Sequence, residues 1–212
     1  LWDKYPVEQV ATPEGYARNP ELVINFYNER RKQLLDVVPN AGHLGVADLE
    51  RDFNVTVVTQ NVDNLHERAG STHVIHLHGE LTKVCTSRDP YNPHFVKELA
   101  PEEYEVKLGD KAGDGTQLRP FIVWFGESVP EIETAIRYVE QADIFVIIGT
   151  SLNVYPAAGL LNYVPRAAEV YLIDPKPVDT HVMRPIHVIQ KGASEGVKEL
   201  KALLTATQPP LP

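Results

Sequence analysis

Four of the chain's eight histidines crowd into thirteen residues: His66, His73, His76 and His78. Just before them stand Gln60, Asn61, Asp63 and Asn64, directly after the apolar run Val55-Thr56-Val57-Val58. That run reads as a buried strand, and in an α/β sheet ligands bind at the carboxyl ends of strands. Amides and carboxylates gathered there supply the donors and acceptors that a nucleotide's ribose and carboxamide require. On its own the stretch is a polar turn, since Asn and Asp favour turns and helix N-caps. Its position after a strand gives it the second meaning.

Residues 73–78 read as a second short strand, on which His76 and His78 alternate with Ile75 and Leu77 and share a face. Nothing nearby in the sequence supplies the carboxylates or thiolates that would complete a metal site. Most isolated histidines are structural. His78 differs because Gly79 follows it, ending the strand and leaving the imidazole at a sheet edge, where a general base near neutral pH fits. Farther upstream, Arg30 lies in an apolar stripe one helical turn after Tyr27. An arginine there commonly packs its stem and snorkels its head to water. A guanidinium and a phenol three residues apart also form a receptor for a carboxylate.

The elements that must position these groups follow from periodicity and punctuation. Residues 1–18 read as an ordered loop with one short helix. Asn19-Pro20-Glu21 starts a helix to about residue 36, with Asn19 as N-cap and Val23, Phe26, Tyr27, Arg30 and Leu34 on one face. A second helix, 41–51, leads into a strand at 55–59. Residues 82–119 carry Pro90, Pro93, Pro101 and the turn cluster KLGDKAGDGTQ, and read as a small irregular lobe with one helix near 94–99. Then come a strand at 121–125, a helix at 131–141, and the fully apolar run Ile144–Ile148, of the kind buried on both faces in parallel sheets. Gly149-Thr150-Ser151, a helix at 157–163, strands at 169–173 and 186–189, and a helix from Ser194 (its cap) to Leu204 complete the chain. This alternation implies an α/β fold, a Rossmann-like doubly wound parallel sheet. Residues 1–81 and 120–212 would form the nucleotide-binding domain and 82–119 the small second lobe.

Composition narrows the partners. A net charge of −9 argues against general nucleic-acid binding and favours cationic partners such as lysine-bearing segments. The single cysteine, Cys85, excludes an internal disulfide framework and a four-cysteine zinc site. No run approaches transmembrane length and no signal peptide is visible, which points away from membranes and to a cytoplasmic location.

The segment TQNVDNLHERAG followed by HLHGEL resembles the sirtuins, NAD-dependent protein lysine deacylases, and the bacterial ones in particular. ATPEGYARNPEL, FYNERRKQL, RPFIVWFGE, ADIFVIIGTS and VYPAAG are similar to sirtuin segments as well, so the resemblance spans most of the chain. It implies NAD consumed as a co-substrate, acyl-lysine proteins or peptides as partners, and a monomer. Gln60, Asn61 and Asp63, with Val62 among them, would contact the ribose and nicotinamide, and His78 would be the catalytic base. Gly149, Thr150 and Ser151 would hold the adenosine ribose, with Leu172, Ile173 and Asp174 at the strand end nearby and Ala193 at the adenine. Backbone of Val123, Phe125, Gly126 and Glu127, and of Val154 with its neighbours, would pair with an extended peptide.

The chemistry so implied uses no metal. The acyl-lysine amide oxygen attacks C1′ of the nicotinamide ribose and releases nicotinamide. His78 takes a proton from a ribose hydroxyl, which attacks the acyl carbon, and water completes release of lysine and O-acyl-ADP-ribose. The Tyr27-x-x-Arg30 pattern is similar to that of the sirtuin class preferring succinyl, malonyl or glutaryl lysine, so desuccinylase and demalonylase activity should exceed deacetylase activity. The sequence departs from the family twice. Sirtuins usually hold a structural zinc with paired cysteines, whereas 82–119 offers only Cys85 and His94, so no zinc is expected. Family members also begin with a strand and a Gly-rich phosphate loop that ends in a segment like Leu1-Trp2; this sequence shows neither, although Leu1 and Trp2 would still border the cofactor. Two other readings remain: transfer of ADP-ribose to a protein acceptor, and a non-catalytic NAD or acyl-peptide binding module.

Overall fold

The computed structural model describes residues 4–149, 157–178 and 184–206, the side chains of Ala157 and Ala158 excepted. In chain order the elements are α1 (Val7–Val10), α2 (Pro13–Arg18), α3 (Pro20–Leu34), α4 (Ala41–Asp48), β1 (Val57–Thr59), α5 (Leu65–Ala69), β2 (Val74–His76), β3 (Gly79–Thr86), β4 (Lys97–Glu98), β5 (Leu118–Ile122), α6 (Ile132–Val139), β6 (Ile144–Ile148), α7 (Ala157–Leu160), β7 (Glu169–Ile173), β8 (His187–Ile189) and α8 (Ala193–Ala206). They form two compact units. One holds residues 4–38, Thr59–Asn64 and His76–Pro130; the other holds Pro39–Val58, Leu65–Ile75 and the described residues from Glu131 onward.

The first unit is built on α3. Asn19 caps it as expected, its side-chain oxygen accepting from the Leu22 amide at 3.2 Å, with Pro20 at the first helical position. The expected face packs: Val23, Phe26 and Tyr27 join Val10, Ala11, Leu81, Ile122 and Trp124 in one cluster. A second face is buried too. Ile24 packs with Val84 and Val106, and beside it Asn28 and Arg31 are 6% and 4% exposed. Arg31 donates to the carbonyls of Tyr104 (2.8 Å) and Leu81 (3.3 Å) and to Asn28 Oδ1 (2.6 Å). Asn28 in turn brackets Val106, donating to its carbonyl at 2.7 Å and accepting its amide at 2.9 Å. Helix and loop are thereby tied together through otherwise orphaned backbone groups.

Residues 82–119 are more regular than expected. β3 is an eight-residue strand at the centre of an antiparallel sheet ordered β4-β3-β5. The boundary anticipated between 81 and 82 falls inside it, and the helix anticipated at 94–99 is a single 3₁₀ turn, Pro93–Phe95, followed by β4. The turn cluster is pinned by hydroxyls: Asp114 accepts from Thr86 Oγ1 and, at 2.7 Å, from Thr116 Oγ1, while Ser87 Oγ donates to the Gln117 carbonyl at 2.6 Å. The bonds to Asp114, led by that from Thr86 and followed by that from Thr116, hold its carboxyl down at about 2.

In the second unit β6, β7 and β8 form the expected parallel sheet, in that order. Ile173, Ile189, Val197, Leu200 and Leu204 fill its core with Leu49. Gly196 lets α8 press on β7, since a Cβ there would lie 2.2 Å from Ile173 Cγ2. Two expectations fail here. α8 begins at Ala193, placing Ser194 inside the helix rather than at its cap. Of β6 only Ile147 is fully buried, and among the described residues β6 hydrogen-bonds to β7 alone. β1 and β2 pair separately; Val57 N donates to His73 O and Leu77 N to Thr59 O, so the two advance in parallel. No helix among the described residues is long and apolar enough to cross a membrane.

Candidate active site

The polar cluster does follow a strand. Thr59 closes β1, its hydroxyl accepts the Asn61 amide at 3.0 Å, and the Val62 carbonyl accepts the Leu81 amide at 2.8 Å. Gln60, Val62 and Asp63 are thereby fixed half-buried while Asn61 faces solvent.

β2 stops at His76, so His76 and His78 do not share a strand face. The cause is Gly79, whose φ of +87° turns the chain, and whose missing Cβ would otherwise meet the Phe121 carbonyl oxygen at 2.1 Å. Only glycine satisfies both demands. Buried His76 is a positioning group, its Nδ1 2.9 Å from the Asn61 carbonyl. Its Nε2 lies 3.9 Å from Glu80 Oε1, so a carboxylate does stand near one of the histidines, contrary to expectation. His66 and His73 have other partners in the second unit: the His43 ring, and Thr56 Oγ1 with the Tyr138 ring.

His78 is half-buried in the turn, and its carbonyl accepts the Val123 amide at 2.9 Å. Burial lowers the pKa of its imidazole, partly offset by a hydrogen bond to the Gln60 backbone. His78 is thus joined to both the polar cluster and the segment after β5.

That segment is organised around Glu127, to which the sequence reading assigned only a backbone role, by Arg119 and Tyr91, which it overlooked. Buried Arg119 grips Glu127 with two nitrogens at 3.0 and 3.2 Å, and its guanidinium lies 3.7 Å over the Trp124 ring. Glu127 also accepts the Trp124 amide (2.8 Å) and the Tyr91 hydroxyl (2.9 Å). Burial alone would raise its pKa, but these bonds outweigh it and leave the carboxyl below its ordinary value. An arginine at the head of the mostly apolar run RPFIVWFGE was the available signal. The amides of Val123, Trp124, Phe125 and Glu127 all have partners within the chain. Pairing with a peptide here would draw on the Gly126 amide, at φ +91°, and on carbonyls. The Phe125 ring is 69% exposed beside them.

Tyr27 and Arg30 belong to this unit also. The Tyr27 ring is fully buried; its hydroxyl donates to the Val10 carbonyl at 2.9 Å and accepts from Trp124 Nε1 at 3.0 Å. Burial pushes the phenol up to about 12. Arg30 is half-buried, its guanidinium 5.9 Å from the Phe26 ring. Burial lowers its pKa while Tyr27 and Asp63 act the other way.

In the second unit Gly149 sits just beyond β6 at φ +64°, its amide 3.2 Å from the Ile173 carbonyl. Leu172 and Ile173 are buried in β7; Asp174 follows, accepting the Lys176 amide at 2.9 Å, and Ala193 opens α8. Leu1, Trp2, Thr150, Ser151 and Val154 lie outside the described residues.

The Sir2 family model matches residues 1–156, and the chain belongs to that family. An "NAD-dependent protein deacylase" of Bacteroides thetaiotaomicron is 83% identical over 204 residues, 96% of this chain and 87% of that one. A protein of the same name from Helicobacter pylori is 46% identical over 200 residues, 94% of this chain and 85% of that one. Among solved structures, a Sir2 homolog–NAD complex superposes with a TM-score of 0.81 at 36% identity, covering 98% of this chain and 81% of that one. A Sir2–p53 peptide–NAD+ complex gives 0.72 at 27% identity, covering 92% and 82%.

Proposed function

We propose that the chain is an NAD-dependent protein lysine deacylase that removes succinyl and malonyl groups faster than acetyl groups. The observation that carries the acyl preference is Arg30, a cation half-buried in an apolar stripe one turn after Tyr27. A guanidinium shielded from water is a strong receptor for a carboxylate and gains nothing from an acetyl methyl. Relatives bearing the deacylase name, and a Sir2 homolog solved with NAD, support the wider assignment.

NAD, consumed as co-substrate, supplies an electrophilic ribose carbon when bound. Gln60, Asn61, Val62 and Asp63 would hold its ribose and nicotinamide, and Asn61 and Asp63 offer the amide and carboxylate that fit those groups. Gly149, Leu172, Ile173, Asp174 and Ala193 would hold the adenosine side, with Leu1, Trp2, Thr150 and Ser151 assigned on resemblance alone. His78, kept neutral by burial, accepts the ribose hydroxyl proton. Val123, Phe125, Gly126, Glu127 and Val154 would carry the peptide, and the products would be nicotinamide, free lysine and O-acyl-ADP-ribose.

No zinc is assigned. Among the described residues no cluster of three metal-ligating side chains includes Cys85 or His94. A monomer in the cytoplasm completes the reading. Arg30→Met assayed on succinyl- and acetyl-lysine peptides tests it: succinyl turnover should fall at least tenfold more, and equal losses would overturn the acyl preference. Nicotinamide release without acyl peptide would overturn the deacylase assignment.

A further inference from the structure

The selectivity pair has a third member in Trp124, whose ring is 2% exposed and whose Nε1 donates to the Tyr27 oxygen at 3.0 Å. A phenol has one proton to donate, and here it goes to the Val10 carbonyl at 2.9 Å. A carboxylate only accepts, so Tyr27 can recognise an acidic acyl group only by turning that proton from Val10 to the ligand. The oxygen must hold its place while the proton turns, and the indole N–H is the group that holds it. Donation into the phenol oxygen also makes its O–H a better donor.

Trp124 is itself held on three sides. The Arg119 guanidinium stacks on its face at 3.7 Å, Glu127 accepts its backbone amide, and the Tyr16 ring packs at 5.3 Å between centroids. The indole is therefore fixed by groups that do not depend on the ligand.

We propose that Trp124 is a specificity-positioning residue, its indole N–H anchoring the Tyr27 hydroxyl so that the proton exchanges between the Val10 carbonyl and the carboxylate of an acidic acyl chain. This rests on the acyl preference argued above. The test uses kcat and KM on matched succinyl- and acetyl-lysine peptides for wild type, Trp124→Phe, Tyr27→Phe and the double variant. Trp124→Phe should lower the succinyl-to-acetyl ratio of kcat/KM by about 3- to 10-fold, the worth of one such hydrogen bond. The loss should appear in KM for the succinyl peptide. The double variant should match Tyr27→Phe, because without the hydroxyl the indole has nothing to anchor.

Equal losses on both peptides from Trp124→Phe, or losses in the ratio that multiply in the double variant, would overturn the proposal. A wild type with no succinyl preference overturns the underlying reading and this proposal together, whereas a preference unmoved by Trp124→Phe overturns this proposal alone. If Trp124→Phe fails to fold, tryptophan emission of a Trp2→Phe variant, in which Trp124 is the one remaining tryptophan, decides. Succinyl peptide without NAD should shift it where acetyl peptide does not, and Tyr27→Phe should abolish the shift; any other pattern refutes the anchor.

Discussion

Burial depresses the pKa of His78 against the pull of its bond to the Gln60 backbone, and both the direction and its consequence can be measured. A base must be neutral, so the acid limb of kcat/KM should fall below the ordinary imidazole value of about 6.5. His78→Ala should cost roughly 10²- to 10⁴-fold in turnover. The same depression has a stability counterpart. The unfolded chain takes up the proton first as pH falls, so this contribution is present above the unfolded pKa and is lost below it. Chemical denaturation from pH 8 to 5 should show His78→Ala losing less stability than the wild type. At this scale the sequence revealed types more than partners. Asn19, Gly79 and His78 announce themselves through local punctuation. Tyr27 reads from spacing as a free phenol, but its proton is engaged by a residue seventeen positions away, and no periodicity encodes that.

Among elements, α3 was legible from its cap to its apolar stripe, yet its second buried face was not. Asn28 and Arg31 look like surface polar residues, and only the tertiary fold gives them carbonyls and amides to satisfy. Arg31→Met leaves the Tyr104 and Leu81 carbonyls without that donor, at about 1–3 kcal/mol for each group left unsatisfied in the interior. A urea midpoint shift of that size would confirm it, and an unchanged midpoint would show water replacing the guanidinium. β3 was missed because its partner β5 lies some thirty residues on, with turn-rich sequence between. Nothing local marks GELTKVCT as a strand. α5 is five residues long, too short for a helical period to appear. The contact of α8 with β7 gives a steric prediction: Gly196→Ala should destabilise by about 1–3 kcal/mol through overpacking, and Ile173→Leu in the same chain, which removes the Cγ2 that the new methyl would strike, should restore part of the loss. Thermal unfolding of the three variants measures both.

Across the whole molecule, the class of fold was the most legible property, since strand–helix alternation and one long motif specify it redundantly. The division into two units was less so, because the chain passes between them several times and no composition shift marks the crossings. The overall charge of −9 predicts salt sensitivity. Peptides with lysines flanking the acylated one should lose kcat/KM severalfold when ionic strength rises from about 0.05 to 0.5 M, while peptides flanked by glutamates should not. The hydroxyl-and-carboxylate closure around Asp114 bears on the surroundings in which the protein can work. Thr86, Ser87, Thr116 and Asp114 contain nothing for a chelator to strip or a peroxide to oxidise. With the Asp114 carboxyl held near 2, that closure keeps its ionisation state far into acid. None of the four side chains carries sulfur, so peroxide should leave this closure in place, and limited proteolysis of the lobe after peroxide treatment would measure it.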